Sequence, residues 1–377
     1  MTRALTAAAL MAVLTLGVAS PAAASGPIRV ALVDGARAVE LSGTDIEVSE
    51  LGACPRCQAM ARRMAVVRAT AGGDGVEIEG ARAGGFRLRS DQPVRLNGRE
   101  YTPPLEIVRN GAGLAVVNEL PLEEYLVGVL RAEAGEKWPL EALRAQAVVA
   151  RTYAAYHRTI AGNRSHHIVA STAHQQFFGR VPPASPIWGA VRETAGQVLL
   201  WEGDVFPAFY HTESGGYTED PRTVFAARNM PALKAVRCEF SAGSPHYYWA
   251  LDVRLADLAE ILRRHGITVG AVTGIVVSER TPSLRASAVT VHGSRGSVRL
   301  LGNDFRRMIG YDTFKSTLFA VAVDPHWARF SGRGYGHGVG MCQWGAKAMA
   351  EQGHTARQIL GFYYPGTVLG TLDPSGR

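Results

Sequence analysis

Glu133 is the residue whose position most suggests chemistry. It lies eleven residues after Leu122 and seven after Leu126, so in a helix it shares their apolar face. A carboxylate at the buried edge of a helix C-terminus is disfavoured as an anion. Desolvation and the negative end of the helix dipole both act against the charge. Such a group keeps a proton near neutral pH and suits general-acid work. The competing reading is a Glu that turns to solvent or pairs with Arg144 or Arg151. Those two arginines are seven apart on the next helical segment and project to one side. They form either an anion- or sugar-contacting stripe or a solvated face.

Ser331 to Gln343 reads SGRGYGHGVGMCQ, with glycine at 332, 334, 336, 338 and 340. This is neither G-x-G-x-x-G nor a Walker loop, so it does not read as a nucleotide site. Strict alternation of glycine around Tyr335 and His337 indicates backbone packed closely against another strand or a substrate. His166, His167 and His174 lie close together, with His211 further on, but they lack H-E-x-x-H spacing or paired cysteines. Ser214 has Thr212 where a G-x-S-x-G elbow needs glycine, which argues against a hydrolase serine. Cys54 and Cys57 form C-x-x-C. Gln58 follows where haem attachment needs His, leaving a local disulfide, paired thiols or a redox motif. Pairing of Cys238 and Cys342 cannot be deduced from sequence.

The elements that must position these groups read as an α+β fold. Between Ile28 and Val117, short apolar alternations cut by Gly, Pro and Asp predict strands at Ile28–Val33, Ala65–Ala69, Phe86–Leu88, Leu105–Val108 and Leu114–Val117. Asn97-Gly98 and Asn110-Gly111 are turn dipeptides. Nothing in the sequence of this β-rich region, 25–117, clusters titratable groups, so its expected role is structural or binding. From Pro121 the apolar spacing becomes helical, predicting helices over Pro121–Glu133 and Pro139–Arg158. The second carries a face of small residues. Further strands are predicted at Val198–Trp201, Val205–Tyr210, Ile275–Val277, Ala288–Val291 and Val298–Leu301, and helices at Leu255–His265 and Gly345–Gln352. Thr355 with Gln358 is a capping-box signature for one more helix. The expected division is 1–24, 25–117 and a mixed α/β core over 118–377.

Composition excludes disorder and a disulfide-stapled scaffold. Of 377 residues, 47% are apolar, 19% are charged, and only four are cysteine. The net charge of +7 is scattered without a basic run. It suits an anionic polymer, and no nucleic-acid partner is expected. Arg3, the apolar stretch Ala4–Val18 and Ala22-Ala23-Ala24 form the charge order, length and small-residue ending of a secretory signal peptide. Ser20 and Pro21 interrupt it too early for a membrane anchor. The expectation is export to the periplasm or cell wall, with no membrane span after cleavage.

Three separate stretches, in order, resemble the SpoIID/LytB family, the stage II sporulation protein D and amidase-enhancer group. The first runs Val117-Asn118-Glu119-Leu120-Pro121-Leu122-Glu123-Glu124-Tyr125 and continues through Ala132-Glu133, Trp138–Ala147 and Ala150-Arg151-Thr152-Tyr153. The second is Tyr210-His211-Thr212-Glu213-Ser214-Gly215-Gly216-Tyr217-Thr218. The third is Gly334–Ala346, ending in Tyr363-Tyr364-Pro365-Gly366-Thr367. Together they span about Ile107 to Leu369. Catalytic members of that family are lytic transglycosylases acting on peptidoglycan glycan strands, and their essential acid falls on Glu133. The family's Ser-Glu-Met-Pro flanks are replaced here by Ala132, Ala134 and Gly135. Its two basic residues fall on Arg144 and Arg151. The same resemblance implies substrate contacts at Tyr153, His211, Ser214, Tyr217, Tyr335, His337 and Gln343. A cysteine- and histidine-containing zinc segment of some members is reduced here to His174, with Ala170 and Gln175 at the cysteine positions. No metal and no cofactor are therefore expected.

The implied mechanism needs one carboxylate, because the nucleophile belongs to the substrate. Glu133 protonates the oxygen between N-acetylmuramic acid and N-acetylglucosamine. Its carboxylate then takes the proton of the muramyl C6 hydroxyl, which closes a 1,6-anhydro ring. Related enzymes prefer strands stripped of stem peptides, which makes an N-acetylmuramoyl-L-alanine amidase the implied upstream partner. The rival reading is a non-catalytic, wall-binding amidase enhancer.

Overall fold

The structure is a computed structural model that describes residues 26–52, 62–162, 164–225 and 230–372. The segment 1–24, read above as a signal peptide, and Cys54 with Cys57 lie outside the described residues.

The β-rich segment supplies ten strands of an eleven-stranded sheet, and Ile168–Val169 adds the eleventh, parallel to Ile28–Ala36. Gly113–Leu120 is a central strand, antiparallel to Ile28–Ala36 on one side and Leu105–Asn110 on the other. Its run Leu114 to Asn118 is buried throughout, as a strand covered on both faces must be. Asn118 is tolerated there because its amide donates to the carbonyls of Thr102 and Pro104 at 2.9 and 3.1 Å. Contrary to the expectation from sequence, the region does gather titratable groups. Glu106, 3% exposed, is bracketed by Arg29 and Arg87, with Glu119 also bound to Arg29.

Leu120 leads straight into helix α1 (Leu122–Glu133), with Pro121 at the N-cap. Gly135, at φ +85°, turns the chain toward helix α2 (Leu140–Ile160). The helices and the sheet share a core: Val30, Val116, Leu126, Leu130, Ala147 and Ala150 belong to a single buried cluster. The sequence boundary at 117/118 thus runs through continuous packing. The opposite face of α2, Ala145, Val148 and Val149, packs into a second cluster with Tyr210, Met341, Cys342 and Tyr363. Its small residues let α2 be buried on both sides.

Strand Tyr210–His211 pairs in parallel with Met341–Cys342, so the chain between leaves this core and returns beside its own exit. The excursion has a third core of its own around Leu258, Leu262, Val289, Phe305, Phe314 and Phe330. Two three-stranded sheets and the helices Leu255–Arg264 and Gly302–Ile309 surround it. The mixture of helices and largely antiparallel sheets is the expected α+β class. Val205–Tyr210, expected as a strand, pairs only at its end, Tyr210–His211. Among the described residues no helix is long and apolar enough to cross a membrane.

Candidate active site

Glu133 is the last residue of α1 and half-buried, at the wall of a cleft of about 500 Å³. Its carboxylate has two defined donors. The backbone N–H of Gln176 lies 2.9 Å from Oε1, and the Gln343 amide lies 3.2 Å from Oε2. The Gln343 amide nitrogen also lies 3.4 Å from Gln146 Oε1, on α2. Burial raises the Glu133 pKa above the ordinary 4.5, and the contacts with Gln176, Gln343 and Tyr210 pull part of that back. The result is a carboxyl that holds a proton more readily than usual yet has donors ready for its anion.

Gln176 is delivered by tight packing of its own segment on α1. A side chain at Gly128 would run into the Phe177 ring and stand 2.6 Å from the Gly179 carbonyl oxygen. Gln343 is delivered by the return strand, which Cys342 ends as N-cap of helix Gln343–Glu351. Just before it, Gly340 has φ +72° and lies against the Phe209 carbonyl, where any Cβ would overlap. Gly334, Gly336 and Gly340 therefore press backbone onto the Phe209–Ser214 segment, while Gly338 lies against the Arg285 guanidinium.

The cleft's other groups include neutral imidazoles, aromatic rings, two arginines and Asp312. His211 is buried, with Nδ1 3.1 Å from the Val339 carbonyl oxygen and Nε2 without a partner. Donation to that carbonyl assigns the proton to Nδ1. Burial and neighbouring His337 hold His211 well below the usual imidazole range. His337 accepts from the Val339 N–H at Nδ1, 3.0 Å away, and burial lowers its pKa to about 3. Neither imidazole is protonated at neutral pH, so neither is an acid in this cleft. Tyr335 donates to Asp312 at 2.9 Å. Arg306, Arg307, Tyr311 and Asp312 supply the wall facing the helices. Arg306 donates to the Phe314 carbonyl and lies over the Tyr311 ring. Burial lowers its pKa to about 10, which leaves it cationic. No sequence signal pointed to this wall, because it reaches the cleft only through the excursion's fold.

The structure brings Glu133, His211, Tyr335, His337 and Gln343 together around the cleft, with His174 beside them. It puts the other sequence candidates elsewhere. Arg144 is taken up by Glu141 and Glu193 away from the cleft. Arg151 has 0% side-chain exposure and grips Glu123 of α1 with both ends of its guanidinium, at 2.8 and 2.6 Å, and the Gln197 carbonyl at 3.0 Å. Neither arginine is a free stripe for a ligand. Tyr153 is buried against His157, Phe209 and Tyr210. Ser214 is buried, accepting from the Gly216 N–H at 3.3 Å. Tyr217 is exposed, and its carbonyl serves Arg285. His166 bonds Ser165, and His167 accepts from the Arg29 N–H at the sheet edge. Glu213 is buried but does not line the cleft.

Comparison with known proteins maps onto the two walls. A family model described as stage II sporulation protein matches residues 110–201, which carry Glu133 and Gln176. A domain of unknown function matches 230–340, which carry the facing wall. Stage II sporulation protein D of Bacillus amyloliquefaciens is 30% identical over 286 residues, covering 68% of this chain and 76% of that one. An uncharacterized protein of Brachyspira hyodysenteriae is 30% identical over 283 residues, 75% of each chain. The amidase enhancer of Bacillus subtilis is 32% identical over 292 residues, covering 65% of this chain and 40% of the relative.

Proposed function

Since this chain belongs to the stage II sporulation protein D family, we propose that it is an exported peptidoglycan lytic transglycosylase. It cleaves the bond between N-acetylmuramic acid and N-acetylglucosamine and leaves 1,6-anhydro-N-acetylmuramic ends. The observation that carries the reading is Glu133: a carboxyl with raised pKa, in an open cleft, with two donors placed for its anion.

The two halves of the reaction ask opposite things of one group. Breaking the glycosidic bond needs a proton given to the leaving oxygen, which burial of Glu133 favours. The anion left behind is stabilised by the Gln176 N–H and the Gln343 amide until it takes the proton of the muramyl C6 hydroxyl. That hydroxyl is tethered to the carbon it attacks, so no water has to be positioned. The cationic Arg306 gives the opposite wall a field suited to an acidic glycan. A strand rid of its stem peptides carries free lactyl carboxylates, which makes an N-acetylmuramoyl-L-alanine amidase the fitting upstream partner.

The test is Glu133→Gln assayed on peptide-stripped glycan strands, with products read by mass spectrometry. The variant is expected to fold and to release no anhydro-muramyl ends. Cleavage at the wild-type rate would remove Glu133 as the acid. The relative named amidase enhancer motivates a second reading, in which the chain binds glycan and raises an amidase's activity without cutting. Unaltered glycan together with amidase stimulation that survives Glu133→Gln would favour that reading.

A further inference from the structure

Cys238 and Cys342 take no part in the chemistry above. Both are free thiols at 0% exposure. They come from separate parts of the chain. Cys238 lies between the 3-10 turns Pro231–Leu233 and Phe240–Gly243, inside the excursion, and Cys342 ends the returning strand. Inside the core they meet on either side of Gly345, within one buried cluster. Around them the Tyr363 hydroxyl is 3.1 Å from Cys238 Sγ, and the Gly345 N–H donates to Cys342 Sγ at 3.3 Å. A Cβ at Gly345 would stand 2.8 Å from Cys238 Sγ, so glycine keeps the space beside the sulfurs clear. The attacking species in thiol–disulfide exchange is the thiolate.

We propose that Cys238 and Cys342 are a disulfide-forming pair, whose bond ties the excursion to the start of helix Gln343–Glu351 and so holds Gln343 against Glu133. The oxidant is a small-molecule disulfide such as oxidised glutathione. The Cys238 thiolate attacks one of its sulfurs, the external S–S bond breaks, and one small thiol departs with the proton Cys238 gave up. Cys342, as its thiolate, then attacks Cys238 in the mixed disulfide and expels the second small thiol, which takes the Cys342 proton. Two protein thiols are oxidised and one external disulfide is reduced to two thiols. Since both sulfurs are sealed from solvent in the folded chain, exchange takes place during folding, before the loop around Cys238 seats. The same burial then shields the finished bond from reductants. The proposal does not depend on the glycan chemistry.

The experiment uses the mature chain carrying Cys54→Ser and Cys57→Ser, which leaves one possible intramolecular pair. It is refolded with oxidised glutathione, denatured, alkylated and mapped without reduction. The expected product is a Cys238–Cys342 cross-linked peptide, with the intact chain lighter by two hydrogens and unalkylated. Quantitative alkylation of both cysteines, or glutathione left on either, overturns the proposal. Oxidation should also raise the melting temperature and slow amide hydrogen exchange over residues 341–345. Equal exchange in the oxidised and reduced proteins would refute the hold on Gln343. With Cys238→Ser added, oxidised and reduced buffers should give the same melting temperature. A difference that persists there would assign the stabilisation to something other than this bond.

Discussion

The amide of Gln343 lies 3.2 Å from Glu133 Oε2, across 210 residues of sequence. One partner ends the first helix of the pair α1 and α2, and the other begins a helix after the excursion returns. The site is therefore completed only when the returning strand pairs with Tyr210–His211. This contact gives the first prediction. Gln343→Leu removes a donor to the anion of Glu133, which favours the protonated form and raises its pKa further. The basic limb of the pH–kcat profile should move to higher pH. Losing a hydrogen bond to a charged group should also slow the reaction roughly ten- to hundredfold. The effect should fall on kcat, because the lost contact serves the carboxylate and not the bound sugar. Gln343→Glu would not restore it, and a profile of Gln343→Leu that matches wild type would remove Gln343 from the acid's machinery.

Arg151 provides a second prediction. It has no exposed surface and binds Glu123 of α1 and the Gln197 carbonyl. Arg151→Met leaves Glu123 to find water, since that carboxylate is partly exposed, but it removes the clasp between α1 and α2. The expected cost is about 3 kcal/mol of stability, read by chemical denaturation, with KM for glycan unchanged. A raised KM in a fully stable variant would restore Arg151 to substrate contact.

Much of this arrangement was legible in the sequence, for local reasons. The helical spacing of Leu122, Leu126 and Glu133 put the carboxyl at the end of a buried stripe, and α1 and α2 begin and end within two residues of the predicted bounds. The capping box of Thr355 and Gln358 is present. What failed depended on partners far along the chain. Arg151 on a helix reads as solvated because nothing local announces Glu123 across from it. The long strand Ala38–Glu50 was missed because its alternation breaks at a register shift between Ser42 and Ile46. Arg306 and Tyr311 sit in an ordinary amphipathic helix and the turn after it, and only the excursion's docking makes them a wall of the cleft. Gln343 was reached through the family resemblance, since no periodicity links it to Glu133.

Glu213 supports a prediction about stability and pH. It is 1% exposed and accepts the Gly215 N–H at 2.9 Å, while burial pushes its pKa from 4.5 up to about 7. A carboxyl raised on folding contributes stability that is fully present below its unfolded value and lost as pH rises through the folded one. The window here is pH 4.5 to about 7, and the loss across it is about 3 kcal/mol at one pKa unit per 1.36 kcal/mol. Glu213→Gln carries no titrating proton, so unfolding free energies measured across this window should lose that slope. A wild-type slope in the variant would assign the pH dependence to another group.

Asp312 decides between two chemistries. It shares the cleft with Glu133, and its carboxylate accepts the Tyr335 hydroxyl at 2.9 Å. A hydrolase would use a second carboxylate as nucleophile or to activate water, and Asp312 is the other acid lining this cleft among the described residues. A transglycosylase has no such need, because the muramyl C6 hydroxyl is already attached to the carbon under attack. Asp312→Asn preserves the acceptor for Tyr335 while removing the charge. If Glu133 works alone, this variant should cleave peptide-stripped strands within about tenfold of wild type, a loss of no more than roughly 1.4 kcal/mol in transition-state stabilisation. Its products should still end in 1,6-anhydro-N-acetylmuramic acid. A two-carboxylate muramidase predicts the reverse on both counts. Wild type would leave reducing muramic ends, each heavier than the anhydro form by one water, and Asp312→Asn would be as inactive as Glu133→Gln. Mass spectrometry of the wild-type and Asp312→Asn digests therefore separates the two mechanisms by the identity of the cut end as well as by its rate.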